Sequence, residues 1–87
     1  AMFYDYCELS DGTQVGYSER LADGDIDVVA ELPIEDGFKS ARFSLPSLLC
    51  TSNDGFNESE LAALSAFIRR NAQLISRFSD EVSREYA

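Results

Sequence analysis

The stretch that decides the fold is Ile26-Asp27-Val28-Val29-Ala30-Glu31-Leu32, near the middle of the 87-residue chain. Its residues alternate, with Ile26, Val28, Ala30 and Leu32 on one side and Asp25, Asp27, Val29 and Glu31 on the other. An apolar residue at every second position is typical of a strand with one buried face. We therefore expect this strand to belong to an antiparallel sheet with one covered and one acidic face.

Similar segments flank this strand, and we predict four strands over about 3–9, 14–21, 26–32 and 39–45. Asp-Gly dipeptides, which suit tight turns, occur at 11–12, 23–24, 36–37 and 54–55. Proline cannot donate to a ladder, so Pro33 predicts the end of the third strand and Pro46 the end of the fourth. The spacing favours a meander of consecutive hairpins.

A long amphipathic helix is predicted over about 57–79. Asn57 suits the N-cap, Glu60 completes a capping box, and Phe56 with Leu61 suits a hydrophobic staple. Apolar residues then recur at three- and four-residue steps, at Leu61, Leu64, Phe67, Ile68, Ile75, Phe78 and Val82. Asn71 falls in the same stripe, which indicates a satisfied core amide or an edge position, with a functional amide as the alternative.

The prediction is one α+β domain over 2–87, a four-stranded antiparallel β-meander with one face covered by the C-terminal helix. A chain of this length has no room for a second core. Ala1 precedes Met2 and is typical of a residue left by cloning, so we take Met2 as the native start. Neither a signal peptide nor an apolar run of about 20 residues is present, so we expect a cytoplasmic protein.

The composition argues against an enzyme or a metalloprotein. The chain has no histidine, which removes the commonest general base and metal ligand. Cys7 and Cys50 match no zinc spacing and are expected to be small buried residues. Asp23-Gly24-Asp25-Ile26-Asp27 resembles the start of a calcium loop, but Val28 and Ile34 stand where an EF-hand needs glycine and glutamate. We therefore expect no catalytic residue, no metal ligand and no cofactor.

The whole chain has a net charge of −9, and the excess negative charge is concentrated in its first part. Residues 1–36 hold ten acids and one base, Arg20, whereas residues 37–87 hold six of each. Such a surface favours a basic protein partner and disfavours membranes and direct nucleic-acid binding. Arg69, Arg70 and Arg77 are interpreted as ordinary helix solvation.

These patterns predict a partner-binding surface, listed here in full: Asp25, Asp27, Glu31 and Val29, with Tyr4, Tyr6 and Glu8 from the first strand. Carboxylates two residues apart on a strand are about 6–7 Å apart, which resembles the charge spacing of a nucleic-acid backbone. The hypothesis is a small acidic interaction protein, with an inhibitor that mimics nucleic acid as one form of it. Size and acidity are typical of such inhibitors from phages and mobile elements, although no motif supports this likeness. The alternatives are a homodimer whose acidity serves solubility and an acidic face that is merely solvated.

Overall fold

Five strands are followed by one helix in the computed structural model, which describes residues 2–85. They are β1 (Phe3–Glu8), β2 (Gln14–Ser18), β3 (Ile26–Ile34), β4 (Gly37–Leu45), β5 (Cys50–Asp54) and α1 (Glu58–Glu85). All neighbouring strands are antiparallel, and the order across the sheet is β1-β2-β3-β4-β5. The interpretation of Ala1 as a cloning residue lies outside the described residues.

The α+β class, the antiparallel meander and the long C-terminal helix are confirmed, with one strand more than the four predicted. The additional strand β5 lies at the edge of the sheet, and all five of its residues are exposed. Its sequence, Cys-Thr-Ser-Asn-Asp, has no apolar alternation. A strand that buries no side chain needs no such pattern, which is why periodicity did not predict it.

The core lies between α1 and one face of the sheet. That face carries Ile26, Val28 and Ala30 of β3, and Val28 pairs with Phe43 while Ala30 pairs with Ala41. The helix residues buried against this layer are Leu64, Ile68, Ile75 and Ser79. The helix therefore covers the apolar side of β3 and leaves the side of Asp27, Val29 and Glu31 open.

The helix begins with the predicted capping box. Asn57 Oδ1 accepts from the Glu60 backbone N at 2.8 Å, and Glu60 Oε1 accepts from the Asn57 backbone N at 2.9 Å. At the other end α1 continues to Glu85, six residues beyond the predicted end. Phe78 and Val82 continue the apolar stripe and pack against the core, which stabilises these last turns.

Polar groups on the inner side of the helix have partners, as predicted for Asn71. The Tyr6 hydroxyl donates to Asn71 Oδ1 at 2.6 Å, and Asn71 Nδ2 donates to the Phe67 carbonyl at 2.8 Å. The buried Ser79 hydroxyl donates to the Ser18 carbonyl at 2.8 Å. The bonds of Tyr6 and Ser79 join α1 to β1 and β2, and within residues 2–85 no buried side-chain nitrogen or oxygen lacks a hydrogen-bond partner.

The first three Asp-Gly dipeptides lie at turns between strands, as predicted, whereas in the fourth Asp54 ends β5 and Gly55 lies in a bend. Their glycines all have positive φ, from 91° to 146°, a region that glycine enters without steric cost. Strand bounds differ from the predicted ones by at most three residues. The prediction that Pro33 ends the third strand is wrong, because Pro33 pairs with Phe38 inside β3. The pairing of β3 with β2 stops at Glu31, so at Pro33 the strand has one neighbour and tolerates a missing donor.

Candidate interaction surface

Acidic side chains from three strands meet on the sheet face opposite α1. The register places Glu8, Gln14, Glu31, Ser40 and Asp54 in one row across the sheet. The next row contains Asp5, Gly16, Val29, Arg42 and Ser52. Beyond it, Asp27 pairs with Ser44. We define the acidic face by its carboxylates: Asp5, Glu8, Asp27, Glu31 and Asp54.

A bulge in β1 decides which of its residues reach the acidic face. Asp5 and Cys7 pair with two consecutive residues of β2, so Tyr6 is an extra residue in the ladder. Beyond the bulge the alternation is reset, and Glu8 lies on the same side of the sheet as Asp5. Glu8 therefore lies on the open face, as expected, in the same row as Glu31 but separated from it by Gln14 of β2.

The expectation that Tyr4 and Tyr6 join this surface is wrong. The Tyr6 ring lies between the rings of Phe67 and Phe78, with centroid distances of 6.3 and 6.1 Å. The Tyr4 ring packs on Tyr17 at 5.8 Å, also on the covered side. Burial raises the pKa of the Tyr6 and Tyr17 hydroxyls above their usual value. Both β1 tyrosines are thus part of the packing between sheet and helix.

Strands with and without carboxylates alternate across the acidic face. Its carboxylates lie on β1, β3 and β5, whereas β2 and β4 contribute Gln14, Ser18, Ser40, Arg42 and Ser44. Strands two apart are separated by about 9–10 Å, so no carboxylate of this face lies directly opposite another. Glu8 instead accepts a hydrogen bond from Gln14 Nε2 at 2.6 Å. Because like charges on adjacent strands destabilise a sheet, this order lowers the cost of concentrating negative charge.

An aromatic–cation contact lies in the middle of the acidic face. The guanidinium carbon of Arg42 lies 4.9 Å from the centroid of the Phe3 ring, although β1 and β4 are separated by two strands. Gly16 lies in the same row as Arg42, where the packing is close: an added Cβ would lie 2.9 Å from the Tyr4 carbonyl and 3.4 Å from Val29 Cγ1. Phe3 and Val29 are half-buried, so they supply apolar contact area among the carboxylates.

The acidic face takes no part in either salt bridge found within residues 2–85. Those bridges join Arg20 Nε to Asp80 Oδ1 at 2.6 Å and Lys39 Nζ to Glu60 Oε2 at 3.1 Å. Arg42 is therefore the cation that the fold places among the carboxylates. The negative potential of this face consequently remains available to a partner.

Asp25 lies at the margin of this surface, just before β3. Its Oδ2 accepts a 3.4 Å contact from the Ser44 hydroxyl, and its backbone N donates to Asp23 Oδ1 at 2.9 Å. The start of the calcium-like sequence thus forms an Asx turn that leads into the strand. Across the described chain, no three His, Cys, Asp or Glu side chains come together in a way that suits a metal ion.

The two cysteines differ in environment. Cys7 is half-buried against the core, where burial raises the pKa of its thiol. The expectation that Cys50 is buried is wrong, because it opens the edge strand β5 and is exposed. Neither thiol has a histidine that could activate it, since the chain contains none.

Four residues of this surface escaped the sequence prediction: Phe3, Asp5, Arg42 and Asp54. Asp5 lies between Tyr4 and Tyr6 in β1, so assigning those two tyrosines to the open face placed Asp5 on the covered face. Asp54 was not predicted because its strand, β5, was not predicted.

No α-helix in the described chain is both long enough and apolar enough to span a membrane. Comparison with protein-family models, with curated proteins and with solved structures finds no match to this chain.

Proposed function

We propose that this protein is a small non-enzymatic interaction protein whose acidic face binds a basic surface of a protein partner. The observation that carries the proposal is the meeting of five carboxylates from β1, β3 and β5 on the face that α1 leaves open. Charge concentrated on one face steers an oppositely charged partner and speeds association. Arg42, the cation that residues 2–85 place on this face, lies against the Phe3 ring.

The centre of the face has the character of an interface. Phe3 and Val29 supply half-buried apolar area, and Arg42 lies over the aromatic ring. Aromatic and arginine side chains surrounded by a polar rim are enriched at binding hot spots. We expect the carboxylates to set the association rate and the salt dependence, while Phe3 and Val29 set the lifetime of the complex.

The test uses the purified protein as bait in a nuclease-treated lysate of its source cell. Asp27→Asn/Glu31→Gln removes two charges from the acidic face, and Glu58→Gln/Glu81→Gln removes two from exposed helix positions. We expect the first variant to lose a captured protein that the second retains, with both variants folded by circular dichroism. Equal capture by the two variants would reject the proposal, because net charge alone would then explain binding.

Mimicry of nucleic acid is a narrower form of the proposal. In that case the captured protein is a nucleic-acid enzyme, and added duplex DNA displaces it at constant ionic strength. Displacement by salt and not by DNA would leave a basic protein partner without mimicry.

The alternative is self-association through the edge of the sheet. It is favoured by β5, an edge strand with all side chains exposed, because such edges can pair with a second copy. Native mass spectrometry at low and high salt decides between the two. A doubled mass that resists salt supports the homodimer, and a monomer at both salt concentrations excludes it.

A further inference from the structure

A second surface, of opposite charge, lies on the helix side of the molecule. It is a groove of about 630 Å³ between α1 and the segment that follows β4. Leu45, Leu48 and Ala72 are among its apolar lining residues. Its cationic lining consists of Arg69, Arg77 and Arg84, and we call this feature the arginine groove.

The wall opposite the helix is held in place by backbone hydrogen bonds. The Leu48 N donates to the Ser44 carbonyl at 2.7 Å, and the Ser44 N donates to the Leu49 carbonyl at 2.8 Å. Leu48 has a φ of 64°, a left-handed conformation that is uncommon for a residue other than glycine. Its side chain packs against the core. The groove is thus bounded by two ordered walls and needs no folding step before binding.

The charge of the groove stands out in a chain of net charge −9. Three of the seven Lys and Arg residues line it, and within the described chain none of these three forms a salt bridge. Asp80 is the acid in the lining, and it is held by Arg20 at 2.6 Å. The hydrogen bond from Arg20 lowers the pKa of Asp80, and Arg84, which also lies near Asp80, helps to lower it. The groove therefore presents three guanidinium groups that form no salt bridge within residues 2–85, above an apolar floor, which suits an occupant that is both acidic and apolar.

The spacing of the arginines selects the shape of the occupant. Arg69, Arg77 and Arg84 are eight and seven residues apart on α1, which corresponds to about 12 and 10.5 Å along the axis. A second helix laid along the groove repeats one side at the same distance every seven residues. A nucleic-acid strand suits the site less well, because the lining residues within 2–85 include no aromatic ring for bases to stack on.

We propose that the arginine groove binds an acidic amphipathic helical segment of a protein partner. Carboxylates one heptad apart pair with Arg69, Arg77 and Arg84, and apolar side chains of the segment pack against Leu48 and Ala72. The charge required of this partner is opposite to that of the partner of the acidic face. The two surfaces therefore require binding segments of opposite charge, and either proposal can fail without the other.

The test is a selection of random 16-residue peptides displayed on phage against the wild-type protein, followed by anisotropy titration of the enriched peptides. We expect them to be rich in Asp, Glu and Leu at helical spacing. Arg69→Gln/Arg77→Gln/Arg84→Gln should weaken their binding at least tenfold. Arg77→Gln should weaken it severalfold, while Arg70→Gln, an exposed helix arginine outside the groove, should leave it within twofold.

A measurement on the wild-type protein keeps the test independent of variant folding. Amide signals of Leu48, Ala72 and Gln73 should shift in ¹H–¹⁵N spectra when an enriched peptide is added. The proposal is overturned if no acidic peptide is enriched, if Arg70→Gln is as damaging as Arg77→Gln, or if these signals do not move. It is also overturned if a 16-nucleotide single-stranded DNA binds more tightly than the peptides, or if the groove variant abolishes a homodimer.

Discussion

The Tyr6 hydroxyl donates a 2.6 Å hydrogen bond to Asn71 Oδ1, which joins the bulge of β1 to the middle of α1. The partners are 65 positions apart in sequence. Tyr6 also packs between Phe67 and Phe78, so the bulged residue that the ladder leaves unpaired is fixed by the helix. Its polar and apolar contacts thus orient a strand whose other side carries part of the acidic face.

Removing this hydroxyl tests the link between strand and helix. We expect Tyr6→Phe to lower the free energy of unfolding by about 1–2 kcal/mol, because Asn71 loses a half-buried partner. Tyr6→Phe/Asn71→Leu should recover part of this loss, since no polar group then remains unpaired there. Urea denaturation of the wild type, Tyr6→Phe, Asn71→Leu and the double variant gives the coupling energy between the two side chains. Additive effects of the two substitutions would show that the bond contributes nothing.

Gly16 is required by close packing on the open face. We expect Gly16→Ala to destabilise the domain by about 1–3 kcal/mol, because its Cβ would meet the Tyr4 carbonyl at 2.9 Å and backbone must move. Ser40 of β4 lies on the same open face of the sheet, and Ser40→Ala should change the free energy of unfolding by less than about 0.5 kcal/mol. Thermal unfolding compares the two variants, and a Gly16→Ala protein as stable as wild type would contradict the packing argument.

Acid should weaken the ion pair by which Asp80 of α1 binds Arg20. The hydrogen bond from the Arg20 guanidinium lowers the pKa of Asp80 below its usual 3.8. A carboxylate with a lowered folded-state pKa stabilises the fold above its unfolded-state pKa, and this contribution disappears as the pH falls through the folded-state value. The stability difference between wild type and Arg20→Gln should therefore be constant from pH 8 to 5 and shrink below about pH 4.

The absence of histidine makes the first part of that profile flat, because no imidazole titrates between pH 5 and 8. Urea denaturation at pH 7, 5, 4 and 3 measures the difference. A difference that persists unchanged at pH 3 would show that Arg20 acts through its contact with the Gly24 carbonyl and not through Asp80.

The two thiols should react at different rates. Cys50 is exposed on the edge strand, whereas Cys7 is half-buried and its pKa is raised by burial. Because the thiolate is the reactive form, Ellman's reagent should modify Cys50 quickly and Cys7 slowly in the folded protein. Cys50→Ser should remove the fast phase and leave the slow one. Loss of the slow phase instead would place Cys7 at the surface.

Elements with a strong period were predictable from sequence, and those without one were not. Apolar residues recur at every second position in β3 and at three- and four-residue steps in α1, because each element buries one side. The Asn57–Glu60 capping box marks the start of α1. β5 buries nothing and left no pattern. The bulge at Tyr6 likewise left none, since an extra residue in a ladder depends on the partner strand.

The candidate sites depend on contacts that a single segment does not contain. Asp27, Val29 and Glu31 lie on the open face as the alternation of β3 indicated, but Asp54 and Arg42 join them only through the register. The arginine groove was missed for a related reason. Arg69 and Arg77 were interpreted as helix solvation, and Arg84 was not singled out. The apolar wall comes from the loop after β4, so neither segment alone indicates a groove.

The sequential order of the strands also has a consequence for how the chain folds. Every strand pairs with its immediate neighbour in sequence, across connections at 9–13, 19–25, 35–36 and 46–49. Such short closures give a low contact order, and proteins of low contact order cross the folding barrier quickly. Hairpins can thus zip from either end of the meander, while α1 supplies the long-range contacts through Ile68 and Ile75. We expect rapid folding kinetics in which helix docking, and not strand pairing, commits the chain to its native state.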